Sequence, residues 1–199
     1  MNVQTLLQNL PKLHTDETGQ PISWGLSDDV LYFIDKHVSD TSKTLETGAG
    51  ISTIIFGLKG AKHTCIVPRK DEVERIKAYC AQQNISTQNI SFEIDISESV
   101  LPCLEINNLD LVLIDGRHGF PTPFIDWYYA SPKLKVGGIL IVDDTQIWTG
   151  RILKEFLLLE PEWQLEEEFS DKTAVFKKLK EVSHWKEWNK QPYVLLKST

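Results

Sequence analysis

Leu109-Asp110-Leu111-Val112-Leu113-Ile114-Asp115 and Gly138-Ile139-Leu140-Ile141-Val142-Asp143 are two aliphatic runs of strand length, each closed by a carboxylate. Their apolar residues fill successive positions rather than alternate ones. That is the pattern of strands covered by helices on both faces, as in the centre of a parallel sheet. Working outward, three further strand-length runs precede them: Lys43 to Glu46 ending at Gly48, His63 to Val67 ending at Pro68, and Ile90 to Ile94 ending at Asp95. Helix-length segments lie between the runs. Repeated β-α units of this kind predict a doubly wound α/β fold, mostly parallel, with helices on both faces.

Start signals mark the helices. Ser27-Asp28-Asp29 offers an N-cap and two carboxylates at the positive end of a helix that turns Val30, Leu31, Ile34 and Val38 inward. A second helix spans Asp71 to Gln82. A third follows Pro121 and closes at Pro132, and a fourth runs from about Thr149 to Leu159. After it come Trp163 to Phe169, a Ser-Asp-Lys turn, and Thr173 to Leu179. Two strands joined by a short polar turn form a hairpin, so the seven-stranded sheet should end in an antiparallel pair.

At 199 residues the chain suits one domain. The core is expected over about 27–179, with an N-terminal helical add-on over 1–26 and a tail over 180–199. Val3, Leu6 and Leu10 are helically spaced in the add-on, and Trp24 is a candidate lid residue. Trp185, Trp188 and Tyr193 make the tail too apolar for a free end, so it should pack on the domain or on a second copy in a homodimer. Net charge is −7. Without a basic half the chain carries no electrostatic footprint for a phosphate backbone, so nucleic acid is not the expected partner. No apolar run reaches membrane-spanning length and the first residues lack a leader pattern, which points to a cytoplasmic protein without a membrane partner. Cys65, Cys80 and Cys103 form neither a disulfide framework nor a zinc knuckle and read as small core residues.

The chemistry is expected at the strand ends. Gly48 and Gly50, after the first core strand, let the backbone turn tightly and approach a ligand at the carboxyl edge of the sheet. Thr53 stands where a phosphate-binding fingerprint would place its third glycine, and no lysine follows. A phosphate ligand is therefore not required, and Glu46 adds a carboxylate suited to a cationic group. His118 lies three residues beyond Asp115, whereas His14, His37, His63 and His184 read as surface or packing residues.

The five β-α units, the closing helix and the hairpin resemble the class I S-adenosylmethionine-dependent methyltransferases over about residues 27–179. Glu46-Thr47-Gly48-Ala49-Gly50-Ile51-Ser52-Thr53 is similar to that family's first motif. Leu109 to His118 resembles the D-L-V-x-I-D-G-x-H segment of a small-molecule branch, and Leu134 to Asp144 its L-K-x-G-G-x-x-x-x-D-D segment. The resemblance implies methyl transfer from S-adenosylmethionine to a small-molecule acceptor, with an O or N nucleophile. It assigns the cofactor to Glu46, Gly48, Ala49, Gly50, Ser52, Thr53, Asp115 and Gly116, and the adenine contact to Asp95 with Ile96. The family's ribose-holding acid falls here at Pro68. Asp71 or Glu72 could reach back to the ribose, or simply begin a helix. That departure leaves a second class in play, a binding or scaffolding protein that keeps the fold without turnover. The terminal hairpin and Thr53 speak against a nicotinamide-dependent oxidoreductase.

Two readings of the catalytic edge stay open. His118 can act as the base with Asp115 orienting it, an imidazole being suited to proton transfer near neutral pH. Alternatively Asp115, Asp143 and Asp144 can hold Mg²⁺ or Ca²⁺, as related acids do in catechol-type O-methyltransferases. Here an Asp-Asp pair replaces that family's Asp-Asn, and Trp148 and Gly150 are displaced by one residue from its spacing. Phe120 and Trp148 sit in loops near the cleft and suit an apolar or aromatic acceptor.

Overall fold

Leu111 and Leu113 pack into one hydrophobic core while Leu109, Val112 and Ile114 pack into another, so the strand carrying them is buried on both faces. The computed structural model describes residues 1–199 apart from 17, 23–24, 184–185 and 199. Trp24, His184 and Trp185 therefore lie outside the described residues. The chain runs α1 (Val3–Gln8), β1 (His14–Thr15), β2 (Pro21–Ile22), α2 (Asp28–His37), β3 (Lys43–Thr47), α3 (Ile51–Lys59), β4 (Lys62–Ile66), α4 (Lys70–Gln82) and β5 (Ile90–Glu93). It continues through α5 (Ser97–Val100), β6 (Leu109–Ile114), α6 (Thr122–Ala130), β7 (Leu134–Val142), α7 (Trp148–Leu159), β8 (Trp163–Phe169), β9 (Thr173–Lys178) and α8 (Pro192–Ser198).

The main sheet has seven strands in the order β5-β4-β3-β6-β7-β9-β8. Strands β3 to β7 pair in parallel, β9 runs antiparallel to β7, and β8 closes the sheet as its hairpin partner. The doubly wound expectation and its terminal hairpin are thus met. The strand order reverses between β3 and β6, the switch point where the loops leaving neighbouring strands diverge and open a cleft.

Local chemistry shapes the ends of the elements. The Asn2 side chain accepts from the Thr5 amide at 2.9 Å and starts α1, which stops at Gln8, so Leu10 lies beyond the helix and is exposed. Ser27 occupies the N-cap of α2 without making the capping bond. His14–Thr15 and Pro21–Ile22 pair as a short antiparallel ladder that the sequence pattern does not announce, each strand being only two residues long. The tail packs on its own domain: Tyr193 meets the Phe156 ring edge-on at 6.1 Å and its hydroxyl donates to Glu155 at 3.0 Å. Among the described residues, no helix is long and apolar enough to cross a membrane.

Candidate active site

The loops leaving β3, β4, β6 and β7 enclose a cleft of about 860 Å³ at the carboxyl edge of the sheet. One wall is the β3–α3 loop. Gly48 has φ +95°, and a Cβ there would fall 2.2 Å from the Asp115 carbonyl oxygen. Only glycine lets the β3 and β6 tips close on each other, a closure secured by the Asp115 amide donating to the Thr47 carbonyl at 3.1 Å. Gly116 presses on Thr47 from the other side, its ideal Cβ lying 3.3 Å from that side chain. Ala49, Gly50 and Ser52 line the cleft, whereas Thr53 is buried behind them and accepts the Gly50 amide proton at 3.0 Å.

Glu46 corrects the expectation drawn from its sequence position. Its carboxylate does not enter the cleft. It lies between the sheet and α3, 1% exposed, and accepts from Ser52 Oγ at 2.7 Å, from Thr53 Oγ1, and from His63 Nε2 at 3.1 Å. The other ring nitrogen of His63 meets Thr44 Oγ1 at 2.8 Å, and Phe56 stacks on the imidazole at 4.1 Å. Both ring nitrogens of His63 are thus engaged, Nε2–H donating to the carboxylate and Nδ1 facing the threonine hydroxyl. Glu46 thus braces the loop from below, because a buried carboxylate with three donors satisfies its charge inside the protein. Cys65 belongs to the same layer: its thiol donates to the Gly48 carbonyl at 3.3 Å, and burial pushes its pKa well up.

Beyond β4, Pro68 takes the place of the acid expected for a ribose. Asp71 points away and pairs with Arg69 and Arg75, which hold its carboxyl well below the usual range. Glu72 is buried and lines the cleft, with His14 Nδ1 3.2 Å from its Oε1. His14 is therefore neither a surface residue nor simple packing; it brings the 14–22 hairpin to the mouth of the cleft, while Arg69 ties that hairpin down through the Thr15 carbonyl at 2.9 Å. Asp95 also departs from expectation. It is exposed, its Oδ1 accepts the Ile96 amide proton at 2.7 Å, and the cleft wall here consists of Ile96, Ser97 and Glu98 instead.

The opposite wall carries the acids. Asp115 stands at the β6 tip, and its carboxyl is pushed well up, first by burial and then by the charges of Asp143, Asp144 and Glu46. His118 Nε2 meets Asp144 Oδ2 at 2.8 Å, and this bond holds Asp144 down at about 2. Thr149 Oγ1 donates to the His118 carbonyl at 2.5 Å, so the start of α7 fixes the histidine loop. A Cβ at Gly150 would fall 2.6 Å from the Asp144 carbonyl, which explains the glycine there.

Asp115, His118 and Asp144 bring their ligating atoms within 4.8 Å of one another, but Asp143 does not join them. Its Oδ1 accepts from Thr173 Oγ1, and its Oδ2 lies 3.4 Å from Lys172 Nζ. The same ammonium stands 3.6 Å from Asp144 Oδ1. The triad expected to bind Mg²⁺ or Ca²⁺ is thereby corrected: a lysine already neutralises two of its three acids, and a divalent ion beside an ammonium would meet direct repulsion. Sequence reading passed over Lys172 as part of a turn. The signal available was its position in the hairpin directly beyond the β7 acids.

Phe120 and Trp148, expected near the cleft, are not among the residues that line it; they stand on the surface, close in sequence to the lining residues His118 and Ile147, 69% and 54% exposed, with ring centroids 6.2 Å apart. Trp127, on the next helix, turns inward onto Phe156 at 5.2 Å.

Comparison with known proteins agrees with this architecture. No curated protein matches the sequence. Among solved structures, a putative caffeoyl-CoA O-methyltransferase from Staphylococcus aureus is 16% identical with a TM-score of 0.66, over 89% of this chain and 92% of that one. The O-methyltransferase TomG from Streptomyces achromogenes, solved in complex with S-adenosylmethionine, is 14% identical with a TM-score of 0.63, over 78% of this chain and 82% of that one. An rRNA methylase from Streptococcus thermophilus is 15% identical with a TM-score of 0.60, over 77% of this chain and 96% of that one. At such identities the likeness is one of fold. A family model described as a methyltransferase domain matches residues 45–145, the segment that holds the β3 loop, Asp115, His118 and the β7 acids, and the chain belongs to that methyltransferase family.

Proposed function

We propose that this protein transfers the methyl group of S-adenosylmethionine to an oxygen or nitrogen of a small-molecule acceptor. The observation that carries the proposal is the His118–Asp144 pair beside Asp115, on a cleft whose other wall is a side-chain-poor glycine loop. When bound, S-adenosylmethionine supplies an electrophilic methyl on a sulfonium. The cleft volume, about 860 Å³, suits a ligand of that size. Ala49, Gly50 and Ser52 offer a close-approach wall for its methionine end, and Glu72 with the Ile96–Glu98 wall fits its nucleoside end.

In this reading His118 is the proton acceptor. Its Nε2–H donates to Asp144, which leaves Nδ1 with the lone pair. Asp144 also receives Gln146 Nε2 at 2.6 Å, so the imidazole hangs from a carboxylate that is itself held. Proton transfer and methyl transfer balance: the acceptor's proton passes to Nδ1, its lone pair takes the methyl, and the departing sulfur keeps the former bonding pair. Ile147 gives the cleft wall an apolar face for the body of the acceptor, and the net charge of −7 argues for a small molecule over RNA.

The experiment combines calorimetry and turnover. Titrations with S-adenosylhomocysteine and NAD should show binding of the first only, and binding of NAD alone would overturn the assignment. Methyl-tritiated S-adenosylmethionine is then offered with phenolic and amine acceptors and, separately, with an rRNA hairpin. Label is expected in the small acceptors. With the acceptor found, His118→Ala should cost about 10²–10⁴ in rate, and the wild-type rate should fall as the imidazole protonates. Label in the hairpin alone rejects the small-molecule acceptor, and cofactor binding without transfer to any acceptor favours a scaffolding protein.

A further inference from the structure

Lys172 is delivered to the cleft by a built device. Ser170 and Asp171 both adopt positive φ, 52° each, so the β8–β9 turn folds back sharply. The turn is then fastened to the β7 tip: the Thr145 amide donates to the Lys172 carbonyl at 2.8 Å, and Thr145 Oγ1 donates to the Asp171 carbonyl at 3.3 Å. The side chain reaches the acids and stops there, 31% exposed, with Nζ 3.4 Å from Asp143 and 3.6 Å from Asp144. Among the described residues, the Gly25 carbonyl, at 3.0 Å, is the one acceptor at ordinary hydrogen-bond distance. The two carboxylates sit at ion-pair range, so the ammonium keeps donor capacity toward the cleft.

Asp144 joins this cation to the base. One carboxylate oxygen holds His118 and the other faces Lys172, so the imidazole and the ammonium flank the same acid on the cleft wall. An ammonium there suits an oxygen that is losing its proton and opposes a protonated amine.

Building on the methyltransfer reading, we infer that Lys172 is the resident cation of the acceptor site: it fills the place of a divalent ion, holds the acceptor's ionising oxygen, and selects hydroxyl acceptors without metal. During transfer the hydroxyl proton passes to His118, the oxygen's lone pair forms the new O–C bond, and the S–C bonding pair returns to sulfur as the neutral thioether leaves. Lys172 keeps its protons throughout and changes only which oxygen it faces.

Two probes test this on the full-length protein. The first is Mn²⁺, followed by electron paramagnetic resonance. Wild type should show no saturable Mn²⁺ site, whereas Lys172→Ala should bind the ion at least about tenfold more tightly, because Asp143 and Asp144 lose their counter-charge. Adding Asp144→Asn to Lys172→Ala should cancel that gain. The second probe is 4-nitrophenol in the presence of S-adenosylhomocysteine, followed by absorbance. Wild type should bind it as the phenolate below its free pKa, and Lys172→Met should lose that spectral shift while binding S-adenosylhomocysteine as wild type does. Equal Mn²⁺ affinity in wild type and Lys172→Ala, or a nitrophenol spectrum in wild type that shows no bound phenolate, would overturn the inference. Failure of wild type to bind S-adenosylhomocysteine defeats the methyltransfer reading instead, since the Mn²⁺ contrast is measured without cofactor.

Discussion

Glu46 and Asp144 are both carboxylates near strand ends on the same sheet edge, yet their surroundings differ in kind. Glu46 is sealed beneath the β3 loop with an imidazole and two hydroxyls as donors to its oxygens, and it is not among the residues that line the cleft. Asp144 opens on the cleft, its side chain 17% exposed, and shares an imidazole, an amide and a distant ammonium. The same contrast holds for the walls around them. On the donor side glycines pack backbone against backbone, whereas on the acceptor side Phe120 and Trp148 stand in solvent. A wall that must hold one invariant ligand can be fixed in advance at little cost on binding. In the proposed reading, the wall that meets the acceptor keeps Lys172 at longer range, where an incoming oxygen can rearrange it.

The largest effect should come from breaking the rigid side. Gly48→Ala places a methyl 2.2 Å from a backbone oxygen at a φ of +95°, and neither partner is a flexible side-chain end. Such a strained, overpacked site is expected to lose about 2–4 kcal/mol, a fall in Tm of roughly 5–15 °C, together with binding of S-adenosylhomocysteine. Gly50→Ala is the control for the thermal melts alone, because its extended φ of 179° suits any residue and its Cβ would meet the His14 ring at 3.4 Å. Thermal melts on both variants, with calorimetry on Gly48→Ala, decide the matter; if the two alanines melt alike, the rigidity of the loop does not rest on the Gly48–Asp115 contact.

The middle-sized prediction concerns an exception on the donor side. Asp126, from α6, is fully buried, and neither oxygen has a hydrogen-bonded partner among the described residues. Burial pushes its pKa up to about 6, although the nearby Ser97 and Thr47 hydroxyls pull the other way. With the folded value above the ordinary one of 3.8, the folded protein holds this proton more tightly than the unfolded chain. The group's favourable share of stability is thus complete below pH ~4 and is lost as pH rises through about 6. Asp126→Asn should remove that slope and gain about 2–3 kcal/mol at pH 7.5 relative to wild type. Urea titrations at pH 4 and pH 7.5 measure it. A wild type whose stability rises between those two values, with no difference in the variant, would show that Asp126 is bonded and ionised in place.

What was legible in the chain follows from what a strand pattern encodes. Aliphatic runs at 109–114 and 138–142 gave away the buried centre, and two strands around a polar turn gave away the hairpin. Side-chain direction was harder. Thr44 and Glu46 pair in register with His63 and Cys65, so all four share one face of the sheet. That parity was available in the sequence and marks an internal polar layer; reading Glu46 from its motif position alone sent it to the cleft. The 14–22 hairpin left no periodic trace because its strands are two residues long, and its importance lies in tertiary bonds to Arg69 and Glu72. Lys172 was invisible for a similar reason, since only the folded β9–β7 pairing brings the turn against the acids.

The smallest effect separates motif from place. Asp95 follows β5 where the family's adenine-contacting acid belongs, but its side chain is exposed and spends its Oδ1 on the neighbouring Ile96 amide. Glu98 lies in the cleft wall instead, accepts from Thr122 at 2.9 Å, and has its pKa lowered, its own backbone amide being the largest cause. A lost adenine hydrogen bond is worth about 0.5–1.5 kcal/mol, or roughly a twofold to tenfold loss of affinity. Asp95→Ala should fall below that window, within about 0.5 kcal/mol in both S-adenosylhomocysteine affinity and stability, as exposed substitutions do. Glu98→Ala should fall inside it. Calorimetry on the two variants ranks them directly, and a larger loss at Asp95 would mean that the β5 loop swings its acid into the cleft when the nucleoside arrives, moving the donor wall from the rigid class to the adaptable one.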